Sequence, residues 1–239
     1  MSQVITVVNK STRVTDDDVK TMTRACATQV QRDAAPAWGK APIPVVYAAS
    51  EAEAPPGAWV IAVLDDSDQA GALGWHTESE GNLIFGRVFA APVLDHGGRV
   101  LSGELSVSAV LSHEVLETLV DEHVNLWADD LNGSAYAYEV GDPVESDSYE
   151  VDVTGVGPVA VSNFVYPAWF DPQAGGGRKF DQMGKVTAPF QMTKGGYVVI
   201  RREGKEEQHF GDRYPEWKKT AKLADTSRSQ RRLAPRTAR

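Results

Sequence analysis

The sequence contains one cysteine, Cys26, among 239 residues. A disulfide within the chain is therefore excluded, and so is a structural zinc site built from cysteine pairs. The thiol lies among small residues of a predicted helix, and we interpret it as a packing residue. Apolar residues make up 42% of the chain and charged residues 24%, which is typical of a globular protein able to bury a sizeable core.

Long apolar runs are also missing. No segment approaches the length of a membrane span, and the first ten residues lack the basic start and apolar stretch of a secretory signal. The glycines at 175–177 are followed by neither Lys-Ser/Thr nor a helix start, so a phosphate-cradling loop is excluded. We expect synthesis in a reducing cytoplasm and no membrane partner.

Positive charge is scarce except at the C-terminal end. The net charge is −9, with 24 Lys and Arg against 33 Asp and Glu. Residues 216–239 contain eight Lys or Arg against Glu216 and Asp225, so this segment carries +6 and the rest of the chain −15. An acidic body argues against broad nucleic-acid binding by the folded part. We predict a basic C-terminal arm over 216–239, extended or ordered on a partner, which contacts an acidic protein or nucleic acid.

Strands and helices are predicted in mixed order, which gives an α+β fold class with a mixed sheet. A first strand over 4–8 precedes a long N-terminal helix, which begins after an N-cap at Thr15 and ends before Pro36. A hairpin-like turn over 78–82 leads into one of the later strands. The remaining predicted strands, which are apolar runs bounded by turn residues, cover 43–48, 59–64, 83–89, 135–140 and 196–201. The segment 151–164 is predicted to form two short strands joined at 155–157.

We predict a single domain over residues 1–215. Its N-terminal half, 1–128, ends with a central helix, and its C-terminal half, 129–215, is β-rich. The aromatic segment 166–172 is bounded by prolines, and we expect it to pack at an edge of the core. The isolated histidines are interpreted as surface or packing residues; they are His76, His96 and His209.

The segment 106–123 predicts an amphipathic helix whose ionisable residues gather on one side. At 100° per residue, His113, Glu114, Glu117 and Asp121 fall within an arc of about 100°, opposite a broad apolar face. Residues four apart lie one above the other, so His113 and Glu117 can hold one cation between an imidazole nitrogen and a carboxylate oxygen. Asp121, at i+8, is the third ligand on geometry if the helix continues. The acidic loop 141–147 offers Asp142 or Glu145 as alternatives if it folds back over the arc.

The stretch His113-Glu114-Val115-Leu116-Glu117 resembles the active-site helix of zincin metallopeptidases, whose motif is H-E-x-x-H. Glu117 stands in place of the second histidine, which gives an HExxE motif. In the metzincin branch the motif continues to H-E-x-x-H-x-x-G-x-x-H. His123 falls at the position of its last histidine and is a further candidate for the third ligand, whereas Val120 replaces the glycine.

The resemblance to zincins extends over residues 1–128, because the predicted order of strands and helices is the one that this family uses in its N-terminal half. It implies a zincin-like, metal-binding fold in which Glu114 is the catalytic base and the strand over 83–89 is the sheet edge that flanks a cleft. Zinc is the first choice of divalent metal. Calcium and manganese are alternatives, because a second carboxylate favours harder cations.

The whole chain also resembles proteins of tailed bacteriophages and prophages. The segments that carry this resemblance are the HExxE helix, the Asp-Pro-Val-Glu sequence at 142–145 and the aromatic segment 166–172. It implies a virion structural protein, made in the host cytoplasm and then incorporated in the virion with other virion proteins or as a homo-oligomer. Our first functional hypothesis is therefore a metal-binding virion protein. The alternative is an active metal-dependent peptidase with His113 and Glu117 as ligands and Glu114 as general base.

Overall fold

The computed structural model describes residues 3–68, 72–79 and 81–222. A five-stranded sheet forms the N-terminal half, and its strands are Ile5–Asn9 (β1), Val45–Ala48 (β2), Trp59–Leu64 (β3), Gly74–Glu78 (β4) and Ile84–Phe89 (β5). The strand order is β2-β1-β3-β5-β4. All strands run parallel except β4, which pairs antiparallel with β5 at one edge. Together with the helices, this mixed sheet confirms the α+β class.

The hairpin of β4 and β5 changes which strand lies at the sheet edge. The turn predicted over 78–82 is present, and Ser79 and Leu83 close it with a backbone hydrogen bond of 2.9 Å. The strand predicted over 83–89 was expected at the edge, and that expectation is wrong, because β5 pairs with β3 on one side and with β4 on the other. The edge strand is β4, which was not among the predicted strands.

The first long helix, α1 (Asp16–Gln29), begins as predicted at Thr15. The Thr15 hydroxyl accepts a hydrogen bond from the Asp18 amide, and the Asp18 carboxylate accepts one from the Thr15 amide, which forms a capping box. The helix continues as a π-helical turn, Val30–Ala34, and a short last turn, α2 (Ala35–Ala37). It therefore runs one residue past Pro36, where it was expected to end, because Pro36 lies in the first turn of α2, a position that tolerates proline. Its buried face packs against the sheet and the central helix.

The central helix, α4 (Val107–Val120), follows a short helix, α3 (Ala90–Asp95). Ser106 is the N-cap, and its hydroxyl accepts a hydrogen bond from the Ala109 amide at 3.2 Å. The predicted apolar face is buried throughout. The opposite, ionisable face is also largely covered, because β4 packs on it from one side and residues 139–142 from the other. The helix stops at Val120, three residues short of the predicted end.

The C-terminal half is β-rich, as predicted. One antiparallel sheet has the order β11-β10-β7-β6, and a separate hairpin joins β8 and β9. The strands are Trp127–Asp129 (β6), Ser134–Ala137 (β7), Ser148–Val153 (β8), Gly157–Ser162 (β9), Tyr197–Arg202 (β10) and Lys205–Phe210 (β11). The 3₁₀ turns of the described chain include Glu51–Glu53, Asp142–Val144 and Pro167–Phe170. The aromatic segment packs in the core as expected, since Trp169 and Phe170 are buried.

Helix α5 (Glu216–Lys222) lies where the sequence predicted the start of an extended arm. Lys218 in this helix is buried, and its ammonium group donates a hydrogen bond to Glu145 at 3.2 Å. Trp217 stacks on the ring of His96, with the ring centroids 3.8 Å apart. The predicted arm therefore begins as a packed helix, and residues 223–239 lie outside the described part of the chain. Within that described part, no helix is long and apolar enough to cross a bilayer.

A buried polar network fixes α4 against α1 and β9. The Ser112 hydroxyl donates to Gln29 Oε1 at 2.6 Å and accepts from the Ser162 amide at 2.9 Å. The Gln29 amide donates in turn to the Ser162 carbonyl at 2.8 Å. These groups are fully buried or nearly so, so each one depends on its partner in place of water. The hydroxyl orients the helix that carries His113.

Substitution Ser112→Ala is expected to lower the free energy of unfolding by about 2–4 kcal/mol, because it leaves the Gln29 carbonyl and the Ser162 amide buried without this partner. Chemical denaturation measures the difference. Thr118→Val is the matched control on the same helix, since the buried Thr118 hydroxyl makes no hydrogen bond among the described residues, and its cost should stay below about 0.5 kcal/mol. Equal destabilisation by the two substitutions would contradict this role of the Ser112 hydroxyl.

Candidate metal centre

Helix α4 places an imidazole and a carboxylate together, as the spacing predicts. His113 Nε2 lies 3.0 Å from Glu117 Oε1, one helical turn further along the helix. The side chains face the C-terminal half of the protein and are mostly covered, with Glu117 only 4% exposed. The first two predicted ligands are therefore in contact at a buried position.

Asp142 completes a group of three around His113. Its Oδ1 atom lies 3.3 Å from His113 Nε2, and it comes from the 3₁₀ turn Asp142–Val144 in the loop that the sequence analysis held open as an alternative. His113, Glu117 and Asp142 each offer one ligand atom within 4.8 Å of the others. Of the four candidates for the third ligand, this residue is the one that the structure brings to the pair.

The turn before Asp142 is fitted closely to this group. The amide of Gly141 donates a hydrogen bond to Glu117 Oε1 at 3.3 Å. A Cβ atom at this position would lie only 2.4 Å from His113 Nδ1. Glycine is therefore required for the backbone to pass so close to the imidazole.

The other candidate ligands have different roles. The Asp121 carboxylate accepts hydrogen bonds from the amides of Asn125 and Leu126 at 3.1 and 2.9 Å, so it holds the turn after α4 and does not join the His113 group. Because the helix ends at Val120, the i+8 position is no longer on the same face. His123 Nδ1 lies 3.0 Å from Glu78 Oε2, at the end of β4. Glu145 forms a salt bridge with Lys218 in α5, with 3.2 Å between Oε1 and Nζ.

Two members of the cluster were not predicted from the sequence, namely Glu139 and the β4 residue His76. His76 was interpreted as a surface or packing histidine, but it is 7% exposed, and its Nδ1 atom lies 3.5 Å from Glu114 Oε2 and 3.6 Å from Glu117 Oε2. With Glu117 and Glu139 it forms a second group of possible ligands, again within 4.8 Å of one another. The signal available was strand alternation, which places positions 74, 76 and 78 on one face.

The spacing and type of these atoms fit a divalent metal. Ligand bonds of about 2.0–2.2 Å place neighbouring ligand atoms about 2.9–3.6 Å apart around an ion. The distances of 3.0 and 3.3 Å from His113 to Glu117 and Asp142 lie in that range. Imidazole with carboxylates suits zinc or manganese better than magnesium or calcium, which prefer oxygen ligands alone.

The two groups of possible ligands share Glu117 and together with Glu114 form one buried cluster. Three of its side chains have raised pKa values, those of His76, His113 and Glu117. Burial opposes a charge on His76, but its contact with Glu114 and the charges of Glu139 and Glu117 outweigh burial and raise its pKa to about 9. The pKa of His113 is likewise raised well above its ordinary value, because Glu117 and Asp142 outweigh the effect of burial. Burial raises the pKa of Glu117 in spite of the nearby His113.

Glu114, the predicted general base, lies near Glu117, since both carboxylates contact His76. It is 3% exposed, and its Oε2 atom is buried and makes no hydrogen bond within the described chain. Its Oε1 atom lies against Gly74 of β4, where a Cβ atom would come within 2.6 Å of it. Glu114 is thus enclosed between α4 and β4, next to His76.

Comparison with known proteins finds no matching family model, no matching curated protein and no matching solved structure.

The raised pKa of His76 predicts how stability depends on pH in the presence of a chelator. The folded protein binds a proton on His76 up to about pH 9, whereas the unfolded chain releases it near pH 6.5. This contribution to stability is complete below about pH 6.5 and is lost as the pH rises towards 9, at a cost of about 3 kcal/mol. The raised pKa of Glu117 acts in the same direction.

Urea denaturation at several pH values gives the unfolding free energy of the wild type and of His76→Gln. The effect is the difference between the two proteins in the slope of unfolding free energy against pH. Substitution His209→Ala is the control, because His209 is an exposed histidine at the end of β11 and should leave the slope unchanged. A wild-type stability that rises between pH 6.5 and 9, or an unchanged slope in His76→Gln, would contradict the protonated state of His76.

Proposed function

We propose that this chain is a metal-binding structural protein with a zincin-like fold, and that it serves as a component of a tailed-bacteriophage virion. The observation that carries the metal-binding part is the buried group of His113 Nε2, Glu117 Oε1 and Asp142 Oδ1, whose atoms are spaced as ligands of one ion. An ion there joins α4 to the C-terminal half and neutralises carboxylates that are costly to bury alone. Its role is to stabilise the fold.

The zincin-like part of the proposal is supported by the order of the elements. A strand, a helix, further strands and a hairpin precede the HExxE helix, and the edge strand β4 lies directly against that helix. The virion part is supported by the resemblance of three segments to phage proteins. Two of these segments belong to the site, namely the HExxE helix and Asp142, and the third places Trp169 and Phe170 in the core. Assembly with other virion proteins or with further copies of this chain follows from the same resemblance.

A structural role fits the site better than a catalytic one because the site is covered. A peptidase has to admit a peptide carbonyl between the ion and its general base. Here the imidazole of His76 lies against both Glu114 and Glu117, and each carboxylate is less than 5% exposed. A substrate could reach Glu114 only if β4 moved.

An active metal-dependent peptidase is the second candidate, and the position of Glu114 favours it. Glu114 has no other hydrogen-bonding role at Oε2 within the described chain, and the neighbouring β4 is a sheet edge on which an extended peptide could pair. A divalent ion at His113 and Glu117 would polarise a carbonyl and make a bound water more acidic. Glu114 would then accept the proton from that water.

Metal content tests the proposal. Purified wild type is expected to contain a divalent ion by elemental analysis, and His113→Ala and Asp142→Asn are expected to contain less. His123→Ala is the control, because His123 pairs with Glu78 away from the group, and it should retain the wild-type content. Added metal at about a hundredfold excess over its Kd should raise the unfolding free energy by about 2.7 kcal/mol in the wild type. Metal-free wild type that shows no thermal shift with zinc or manganese would refute the metal-binding role.

Peptidase assays separate the scaffold from the enzyme. A structural protein should hydrolyse unstructured peptide substrates no faster than Glu114→Gln, which keeps the shape of the side chain but cannot act as a base. His76→Ala is included because it removes the imidazole that covers Glu114. Activity in the wild type or in His76→Ala that disappears on adding Glu114→Gln would establish the peptidase in place of the structural role.

A further inference from the structure

We infer that the cluster binds two divalent cations, with Glu117 as the bridging ligand. His113 and Asp142 hold the first ion with Glu117, and His76 and Glu139 hold the second. This inference rests on the proposed metal-binding function and extends it from one ion to a paired centre.

The two oxygens of the Glu117 carboxylate face different imidazoles. Oε1 lies 3.0 Å from His113 Nε2, whereas Oε2 lies 3.6 Å from His76 Nδ1. A carboxylate in this position can bind one ion through each oxygen. Paired metal centres have ions about 3.5–4 Å apart, a separation that one bridging carboxylate can span.

The distances from His76 to the neighbouring carboxylates are long enough to admit an ion. Its distances of 3.5 Å to Glu114 and 3.6 Å to Glu117 exceed the usual hydrogen-bond range of about 2.7–3.2 Å. The 3.6 Å between His76 and Glu117 matches the separation of about 3.3–3.6 Å between two ligands of a tetrahedral ion. The geometry therefore leaves room for a cation between the imidazole and the carboxylates.

The opposite side of the His76 ring has the arrangement found for metal-bound histidines. Its Nε2 atom lies 3.0 Å from the carbonyl oxygen of Asp121, and because a carbonyl only accepts, Nε2 must carry the hydrogen. This contact fixes the ring and directs Nδ1 at the carboxylates. Histidines that bind metals commonly donate their second N–H to a backbone carbonyl in this way.

Charge supplies an independent reason for a second ion. Four buried carboxylates meet here, those of Glu114, Glu117, Glu139 and Asp142. Across the described residues, no lysine or arginine forms a salt bridge with Glu114, Glu117 or Asp142, and Glu114 Oε2 makes no hydrogen bond. One divalent ion balances two of the three carboxylates of Glu114, Glu117 and Asp142. A second divalent ion can replace the proton of His76 as the positive charge beside the remaining carboxylate.

The ligand types select the class of metal. Each group combines one imidazole with two carboxylates, a set that suits zinc or manganese and disfavours calcium and magnesium. Zinc is therefore the probe for stoichiometry. Manganese is the probe for proximity, because two manganese ions that share a carboxylate interact magnetically and a single bound ion does not.

The experiment counts ions in each half of the centre. Chelator-stripped full-length protein is reloaded with zinc, freed of unbound metal and analysed for zinc per chain. The wild type should hold about two ions, and His76→Ala and Glu139→Gln should each hold about one. His113→Ala and Asp142→Asn should also fall to about one, and Glu117→Gln to near zero, because it serves both ions. Manganese-loaded wild type should give a coupled electron paramagnetic resonance spectrum, which His76→Ala converts to that of isolated ions.

Three results would decide against the inference in different ways. One zinc per chain, lost in Asp142→Asn but retained in Glu139→Gln, would overturn the paired centre and leave the proposed metal-binding function intact. No zinc in the wild type would overturn both. Two ions retained in Glu117→Gln would overturn the bridging role of this carboxylate.

Matched controls keep these results separate from unfolding or non-specific binding. His209→Ala and Glu207→Gln repeat the same substitutions in an exposed His–Glu pair on β11, and both should bind as much zinc as the wild type. Glu139→Gln preserves the size of the side chain, so it still tests for the second ion if His76→Ala does not fold. Circular dichroism of each stripped variant checks that the fold is retained.

Discussion

The buried carboxylate of Glu117 lies between two imidazoles, and the surrounding elements are arranged to hold it there. A carboxylate removed from water costs several kcal/mol unless positive charge and hydrogen bonds compensate for it. Helix α4 supplies His113 from one turn away, β4 supplies His76, and the turn before Asp142 supplies a backbone amide. The N-terminal sheet, the central helix and the C-terminal half therefore all meet at this one side chain.

Close packing around the cluster shows how little freedom the backbone has there. Glycines occupy two points where another segment of the protein lies against α4, Gly74 beside Glu114 and Gly141 beside His113. A methyl group at either position would overlap with an ionisable side chain, so the spacing of the elements is set by the site as much as by the apolar core. On the opposite face of α4, the hydrogen bond between Ser112 and Gln29 holds the same helix against α1.

Local regularities allowed part of this arrangement to be predicted from the sequence. The contact between His113 and Glu117 follows from helical spacing alone, the start of α1 follows from its N-cap, and the limits of β3 follow from an apolar run. Asp142 could be kept only as an alternative, because its approach depends on how a loop returns over the helix. The choice of Asp121 on geometry assumed a continuous helix, whereas its carboxylate binds the amides of the turn that ends the helix.

His76 could not be found without knowing the strand pairing. Alternation along a strand assigns residues to two faces, but it does not say which face meets α4. That choice is made by β4 pairing antiparallel at the sheet edge, with Trp75 directed to an aromatic cluster on the other side. The pairing follows from contacts with the rest of the sheet, which no window of the sequence contains.

Helix α5 has a consequence for how the basic end of the chain can be studied. Charge alone would suggest cutting before Glu216, where the excess of lysine and arginine begins. Such a truncation would delete Lys218, which donates a hydrogen bond to Glu145, three residues after Asp142. It would also delete Trp217, which stacks on the ring of His96. A shortened protein that tests only the tail should therefore end after Lys222, so that any lost affinity for polyanions reflects missing charge and not a loosened centre.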